Sequence, residues 1–137
     1  MLAALPLLVF VVGFYHVVVL VGVAGLGGIA SVVLSLPLVS GATLELTMGD
    51  LLVLAGLVLL YIEIFKATRT STASIVDHLL SMALFVVCLV EVIVLPGFGT
   101  ATFVILTLMT AIDVVAGFTV TISGARRDIG LEDGIRR

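Results

Sequence analysis

Ionisable side chains within long apolar stretches are the residues of this sequence that could carry out chemistry. They are four acids and two histidines: Glu63, Asp77, Glu91, Asp113, His16 and His78. Because a charged side chain is costly inside a lipid bilayer, each group must face the protein interior or water, or be neutralised. Such groups serve in proton and cation pathways, and they also serve as buried hydrogen-bonding groups that fix how membrane helices pack.

Asp113 is the deepest of these groups, near the middle of a predicted span over residues 101–122. Thr107, Thr110 and Gly117 share its face at helical spacing. One interpretation is a protonatable or cation-binding carboxylate in a pathway. The other is a neutral acid that donates a hydrogen bond to a neighbouring helix and fixes the packing. The spacing leaves both open.

A polar stripe runs along the predicted span 75–95. Its members recur at the spacing of one helical face: Asp77, Ser81, Leu84, Cys88 and Glu91. The stripe could line a path through the membrane or form a seam between helices. His78 lies on a different face of the same helix, and we expect it at the membrane interface. His16 has a depth in the first span similar to that of Glu91, so the two could pair.

Two further acids have conventional explanations in the sequence. Glu63 lies three residues before Lys66, which predicts an ion pair with the lysine reaching toward the aqueous boundary. Ser74 and Asp77 have the spacing of a capping box at the start of the third span.

Four long apolar segments must position these groups. The chain has 137 residues, is 62% hydrophobic and contains no Trp, and its mean hydropathy is +1.45. A soluble domain of this size would expose far too much apolar surface. The predicted spans, each near the length of a bilayer core, are 2–24, 50–67, 75–95 and 101–122. Asp50 and Thr100 are the expected caps of the second and fourth spans, and Ser123-Gly124 is the expected end of the fourth.

Residues 31–48 read differently from the four spans. Apolar and polar residues alternate on both sides of Ser40-Gly41, which is typical of a β-hairpin. A lone hairpin is marginal in water, so we expect this one to lie against the membrane surface or the helix ends. A fifth, short span would instead place the basic residues on opposite sides of the membrane, and we reject that alternative.

All six basic residues lie in two patches that this arrangement places on one side of the membrane. They are Lys66, Arg69, Arg126, Arg127, Arg136 and Arg137. By the positive-inside rule, both termini lie in the cytoplasm and the hairpin lies outside it. Residues 1–127 form one membrane domain, and the mixed-charge residues 128–137 form a cytoplasmic tail.

Several classes of function have no support in the sequence. The chain lacks a basic groove for nucleic acid, and its single Cys88 cannot form a disulfide framework or a thiolate metal cluster. No zinc-ligand spacing, nucleophile motif or phosphate-binding loop is present. We therefore expect neither an enzyme nor a bound metal or cofactor.

Three segments carry a resemblance to known proteins. They are Tyr61-Ile-Glu63-Ile-Phe-Lys66-Ala-Thr-Arg69-Thr, Asp113-Val-Val-Ala-Gly-Phe-Thr-Val-Thr and Arg126-Arg127-Asp128. They are similar to small bacterial inner-membrane proteins, and the overall plan resembles the phosphate-starvation-inducible E (PsiE) family. That family has four spans, an aromatic-x-Glu motif late in the second span, matched by Tyr61 and Glu63, and a basic cytoplasmic end. The loop between the second and third spans departs from the family pattern. The resemblance implies a location and a topology and no chemical activity.

The predicted fold is an all-α integral membrane protein, a four-transmembrane-helix antiparallel bundle with a short extracytoplasmic β-hairpin between helices 1 and 2. Because four spans make a thin core, we expect a homo-oligomer or a larger membrane complex in the bacterial inner membrane. A structural or accessory role is the first hypothesis. The alternative is a proton, cation or small-solute pathway that uses the intramembrane carboxylates, with His16 or His78 as proton partners. Convergence on a wet cavity would favour the pathway, and dry, paired groups would favour the accessory role.

Overall fold

The computed structural model describes residues 5–20, 28–67 and 72–135, and for 72–75, 121 and 124–135 it describes the backbone alone. Over these residues the chain is mostly helical, with four α-helices and a small two-stranded antiparallel sheet. A short 3₁₀ turn, Pro96–Phe98, precedes the last helix. The elements in chain order are α1 (Leu8–Leu20), β1 (Val32–Pro37), β2 (Thr43–Thr47), α2 (Met48–Ala67), α3 (Thr72–Val94) and α4 (Ala101–Ile135).

Three of the described helices are long and apolar enough to cross a membrane. The apolar segments are Met48–Ala67, Val76–Val94 and Ala101–Val120, with mean hydropathies of 2.1, 2.2 and 2.1. At 1.5 Å per residue, segments of this length match a bilayer core. The described part of α1 has 13 residues. The first predicted span, 2–24, continues at both ends into residues outside the described part.

The helices pack around an apolar core, and several polar side chains are buried between the helices. α4 packs against both α2 and α3, and α1 lies against α2. Gly56 lies at the contact between α2 and α4, where a Cβ would lie 2.9 Å from the Met109 Sδ atom. The buried core residues are Leu8, Val11, Val12, Tyr15, Leu52, Leu60, Cys88, Phe98, Phe103, Leu106 and Met109.

The predicted hairpin is present, and its two faces differ sharply. Direct cross-strand partners lie on the same face of a sheet. The pairs Leu34–Leu46 and Leu36–Leu44 therefore form one face, which we call the leucine face. The pairs Ser35–Glu45, Pro37–Thr43 and, beyond a register shift, Val32–Thr47 form the opposite, mainly polar face, which we call the polar face.

The turn of the hairpin follows the predicted Ser-Gly position. The Gly41 amide donates to the Leu38 carbonyl at 3.0 Å, and Leu38 donates to the Ala42 carbonyl at 2.8 Å. Gly41 has a φ of 83°, a left-handed conformation that favours glycine. A three-residue loop with glycine in this conformation is a common hairpin connection.

The cap of α2 differs from the prediction that Asp50 would be the N-cap. The helix begins earlier, at Met48, and Thr47 is the capping residue. The Thr47 hydroxyl accepts from the Asp50 amide at 3.2 Å, while the Asp50 carboxylate accepts from the Thr47 amide at 2.8 Å. This reciprocal arrangement is a capping box in which aspartate is the third residue of the helix.

The ends of α3 and α4 also correct the sequence-based prediction. α3 begins at Thr72, two residues before the predicted cap Ser74, and Asp77 bonds to Lys66 of α2. The Ser74 side chain of the predicted capping box lies outside the described part. Thr100 does cap α4, since its hydroxyl accepts from the Phe103 amide at 3.1 Å. The predicted end of α4 at Ser123-Gly124 is wrong, because the helix continues to Ile135 and includes most of the predicted tail. Each interior glycine costs only about 1 kcal/mol, and no proline follows Gly124 in the helix, so the helix can continue.

Candidate functional site

A cluster of buried polar side chains lies where α2, α3 and α4 meet. The side chains are nearly all buried: Glu63 is 1% exposed, Asp77 3%, His78 9%, Ser81 2% and Asp113 4%. Lys66 completes the group with a side chain that is 22% exposed. We call these six residues the carboxylate cluster.

Lys66 is the centre of the carboxylate cluster. Its Nζ lies 2.6 Å from Oε1 of Glu63 and 2.9 Å from Oδ1 of Asp77, and it also donates to the Leu5 carbonyl at 2.8 Å. The second oxygen of Glu63 accepts from the Leu7 amide at 2.9 Å. A carboxylate beside the first amides of a helix satisfies a donor that the helix itself leaves free and suits the helix dipole. The cluster thus joins α2 and α3 to the start of α1.

Asp113 enters the cluster from α4. Its carboxyl group is hydrogen-bonded to the Ser81 hydroxyl and lies within electrostatic reach of Asp77 and His78. The His78 ring packs against Gly117, where a Cβ would lie 2.5 Å from the ring Nδ1. The absent side chain at position 117 therefore makes room for the imidazole between α3 and α4.

Among the side chains that the structure describes, the charges of the cluster do not balance. Three carboxyl groups there, on Glu63, Asp77 and Asp113, face one lysine and one imidazole. With every acid ionised the cluster carries a negative excess even if His78 is protonated, and such an excess is costly where water is excluded. A proton on one carboxyl group, or a small cation beside it, removes the excess. Within the described residues no group of three or more His, Cys, Asp or Glu side chains is arranged to hold a metal ion.

A second polar site joins α1 to α3. His16 Nε2 lies 2.8 Å from Oε1 of Glu91, and His16 Nδ1 lies 2.8 Å from the Val12 carbonyl. Since a carbonyl oxygen only accepts, Nδ1 must donate to Val12. The Nε2–Oε1 bond then needs one proton, either on the imidazole or on Glu91. In both cases the pair is neutral as a whole, which suits its partly buried position.

Aromatic rings surround this histidine–glutamate pair. The His16 ring centroid lies 4.7 Å from that of Phe98, and the Tyr15 ring lies 4.7 Å from Phe103. The Tyr15 hydroxyl lies 2.6 Å from Oγ1 of Thr100, the residue that caps α4. These contacts fasten α1 to the turn between α3 and α4.

The structure thus divides the residues singled out in the sequence between two sites. Asp113, Glu63, Asp77, Ser81 and Lys66 come together with His78 in the carboxylate cluster, and His16 pairs with Glu91. Cys88 is fully buried and belongs to the hydrophobic core. The stripe on α3 therefore faces the protein interior.

His78 is buried against α4, since it is 9% exposed and packs against Gly117. Its expected depth at the membrane interface, on a face separate from the stripe, stays a prediction. The sequence places His78 and Gly117 on different helices but does not show that they meet, because a glycine can make room for a side chain from any neighbouring helix.

Sequence reasoning also missed three contacts. A buried tyrosine hydroxyl needs a hydrogen-bond partner, which is a signal at Tyr15, but the sequence does not say that Thr100 supplies it. The backbone groups of Leu5 and Leu7 that meet Lys66 and Glu63 have no sequence signal, since every residue other than proline carries the same groups.

No protein-family model, curated protein sequence or solved structure matches this chain.

Proposed function

We propose that this chain is a small bacterial inner-membrane protein with a structural or accessory role, in which buried polar groups fix the packing of its helices for assembly. The observation that carries the proposal is the coordination of Lys66. Its ammonium group bonds at once to Glu63, to Asp77 and to the backbone at Leu5. A lysine held in this way joins three chain segments through two ion pairs and a backbone hydrogen bond, as a packing element does.

The membrane arrangement proposed is a four-helix antiparallel bundle with both termini in the cytoplasm. The apolar lengths of α2, α3 and α4 support three of the spans, and α1 with its flanking residues supplies the fourth. The basic residues support the orientation. Lys66 lies in the last turn of α2 and Arg69 follows it in the sequence, while the four remaining arginines follow the apolar part of α4. The PsiE-like plan of the sequence agrees with this topology.

Assembly into a homo-oligomer or a larger complex is part of the proposal. α4 carries a shallow apolar groove of about 330 Å³, lined by Leu108, Ala111, Ile112, Val115 and Ala116. Alanines within such a groove allow a second helix to approach closely, which is how helices associate in a bilayer.

A proton or cation pathway is the second candidate. The excess of carboxyl groups over bases in the carboxylate cluster favours it, because such a cluster gains and loses a proton or a small cation more readily than a balanced one. Asp113 is the central residue of this candidate. Glu91 and His16 would provide a second proton-binding position along α3.

Flux measurements separate the two candidates. The purified protein is reconstituted in liposomes, and proton and cation flux is compared for the wild type, Asp113→Asn and the control Glu45→Gln, which alters an exposed hairpin side chain. The accessory role predicts no flux above empty liposomes for any of the three. Flux in the wild type and in Glu45→Gln that Asp113→Asn removes, with the oligomer intact, would establish the pathway instead.

Topology is tested by cysteine labelling. Cys88 is fully buried, so we expect the native protein to resist a membrane-impermeant maleimide. In a Cys88→Ser background, Glu45→Cys should be labelled on intact cells. Arg137→Cys should be labelled only after the membrane is permeabilised, and the opposite pattern would reverse the proposed orientation.

A further inference from the structure

We propose that the leucine face of the hairpin rests on the lipid interface of the extracytoplasmic leaflet, so that the hairpin lies along the membrane surface. This inference rests on the membrane location proposed above and adds a contact which that location does not require. The occupant is the boundary between lipid headgroups and acyl chains.

The first step is the separation of apolar and polar side chains between the two faces. The leucine face carries only leucines, whereas the opposite face is mainly polar and carries Ser35, Thr43, Glu45 and Thr47 together with Pro37 and Val32. Glu45 is the one charged residue among 28–47. A one-sided apolar surface backed by polar groups is the pattern of elements that lie in a membrane interface.

The second step is that the described protein leaves this face largely uncovered. Leu34 is 42% exposed, Leu36 43% and Leu44 40%, while only Leu46, at the root of the hairpin, is partly covered. At the tip, Leu38 and Val39 are exposed as well. An isolated two-stranded hairpin is only marginally stable in water, so an uncovered apolar face calls for an apolar support.

The third step is the position of the hairpin. β2 ends at Thr47 and α2 begins at Met48, so no linker separates the hairpin from an apolar helix. The amides of Met48 and Gly49 donate to the carbonyls of Ser31 and Ile29, both at 2.9 Å. These bonds attach the residues just before β1 to the first turn of α2, which β2 enters directly. They hold the base of the hairpin at the level where that helix leaves the bilayer.

The fourth step decides the depth and the occupant. A two-stranded sheet has two open edges whose backbone groups need hydrogen-bond partners, and the hydrocarbon core offers none. At the interface, water and headgroups satisfy these edges while acyl chains cover the leucines. The hairpin is attached at the level of the bilayer boundary, where a lipid surface is already present. A protein partner that bound the leucine face in water would not explain why the hairpin is attached at that level.

Single-tryptophan fluorescence tests the inference directly, because the natural chain contains no Trp. Leu36→Trp reports on the leucine face, Thr43→Trp is its matched control on the polar face, and Leu57→Trp reports on an exposed position midway along α2. Each full-length variant is reconstituted in phosphatidylcholine vesicles with and without phosphatidylcholine brominated on its acyl chains. Leu44→Trp provides a second reporter for the leucine face if Leu36→Trp does not fold.

The expected result is blue-shifted emission from Leu36→Trp, with quenching by brominated lipid roughly twofold or more above that of Thr43→Trp. Blue-shifted emission without quenching would mean that protein covers the face, either a second copy or another partner, and would overturn the inference. Red-shifted, unquenched emission would place the face in water, and equal quenching of both faces would remove the facial orientation; either result would also overturn it. Leu57→Trp keeps the failures apart, because loss of its quenching would mean that the proposed membrane location itself is wrong.

Discussion

The imidazole of His78 occupies the space that a side chain at position 117 would fill. A Cβ on Gly117 would lie 2.5 Å from both Nδ1 and Cε1 of the ring. Such a distance is far inside van der Waals contact, and the atoms it meets belong to a rigid ring. The contact between α3 and α4 therefore depends on the absence of a side chain at this position.

Gly117→Ala should lower the stability of the protein by about 1–3 kcal/mol, because the added methyl group displaces the His78 ring from a packed position. The measurement is thermal unfolding of the detergent-solubilised protein. Gly13→Ala is the matched control, since a Cβ there has no atom within 4 Å. That control should be neutral or stabilising by up to about 1 kcal/mol, because alanine is the better helix former. Equal losses in both variants would contradict the role given to His78.

Lys66→Met should destabilise the protein by about 3–5 kcal/mol, because it leaves Glu63 and Asp77 buried without their shared cation. The measurement is the yield of monodisperse protein together with its unfolding midpoint. The triple variant Lys66→Met/Glu63→Gln/Asp77→Asn should recover most of the loss, since it removes the uncompensated acids. Failure of the triple variant to recover would mean that the lysine acts through its bond to the Leu5 carbonyl.

The histidine–glutamate pair predicts a difference between two substitutions of Glu91. Glu91→Gln keeps a donor for His16 Nε2, because its side-chain amide can donate where the carboxyl group shared a proton. Glu91→Ala leaves Nε2 without a partner. A double-mutant cycle with His16→Ala should therefore give a coupling of about 1 kcal/mol for Glu91→Ala. The coupling is measured from unfolding midpoints in detergent, and a value near zero would show that the pair contributes nothing to stability.

The capping box predicts a local effect at the start of α2. Thr47→Ala removes the hydroxyl that bonds both to the Asp50 amide and to the Asp50 carboxylate, and it should cost about 1 kcal/mol. Thr43→Ala, on the exposed polar face of the hairpin, is the matched control and should change stability little. Hydrogen exchange of the first amides of α2 locates the effect, and unchanged protection there would contradict the cap.

Local patterns in the sequence were enough to predict several elements of the fold. The apolar length of α2, the alternation around Ser40-Gly41 and the Thr100 cap depend on neighbouring residues, so they can be read without knowing the rest of the chain. The pairing of Glu63 with Lys66 is of the same kind, because residues three apart always share a helix face. The ends of helices were less predictable, and α4 passed through Ser123-Gly124 because one glycine is a weak stop signal.

The sequence by itself determined which segments are apolar, which acids lie within them and where the basic residues fall. Only the tertiary structure decided that Lys66 bonds to Asp77, that Tyr15 reaches Thr100 and that His78 is buried against Gly117. These choices depend on how each helix is rotated and how closely its neighbours approach. Rotation and approach are set by the packing of all the helices together, which no local spacing of residues records.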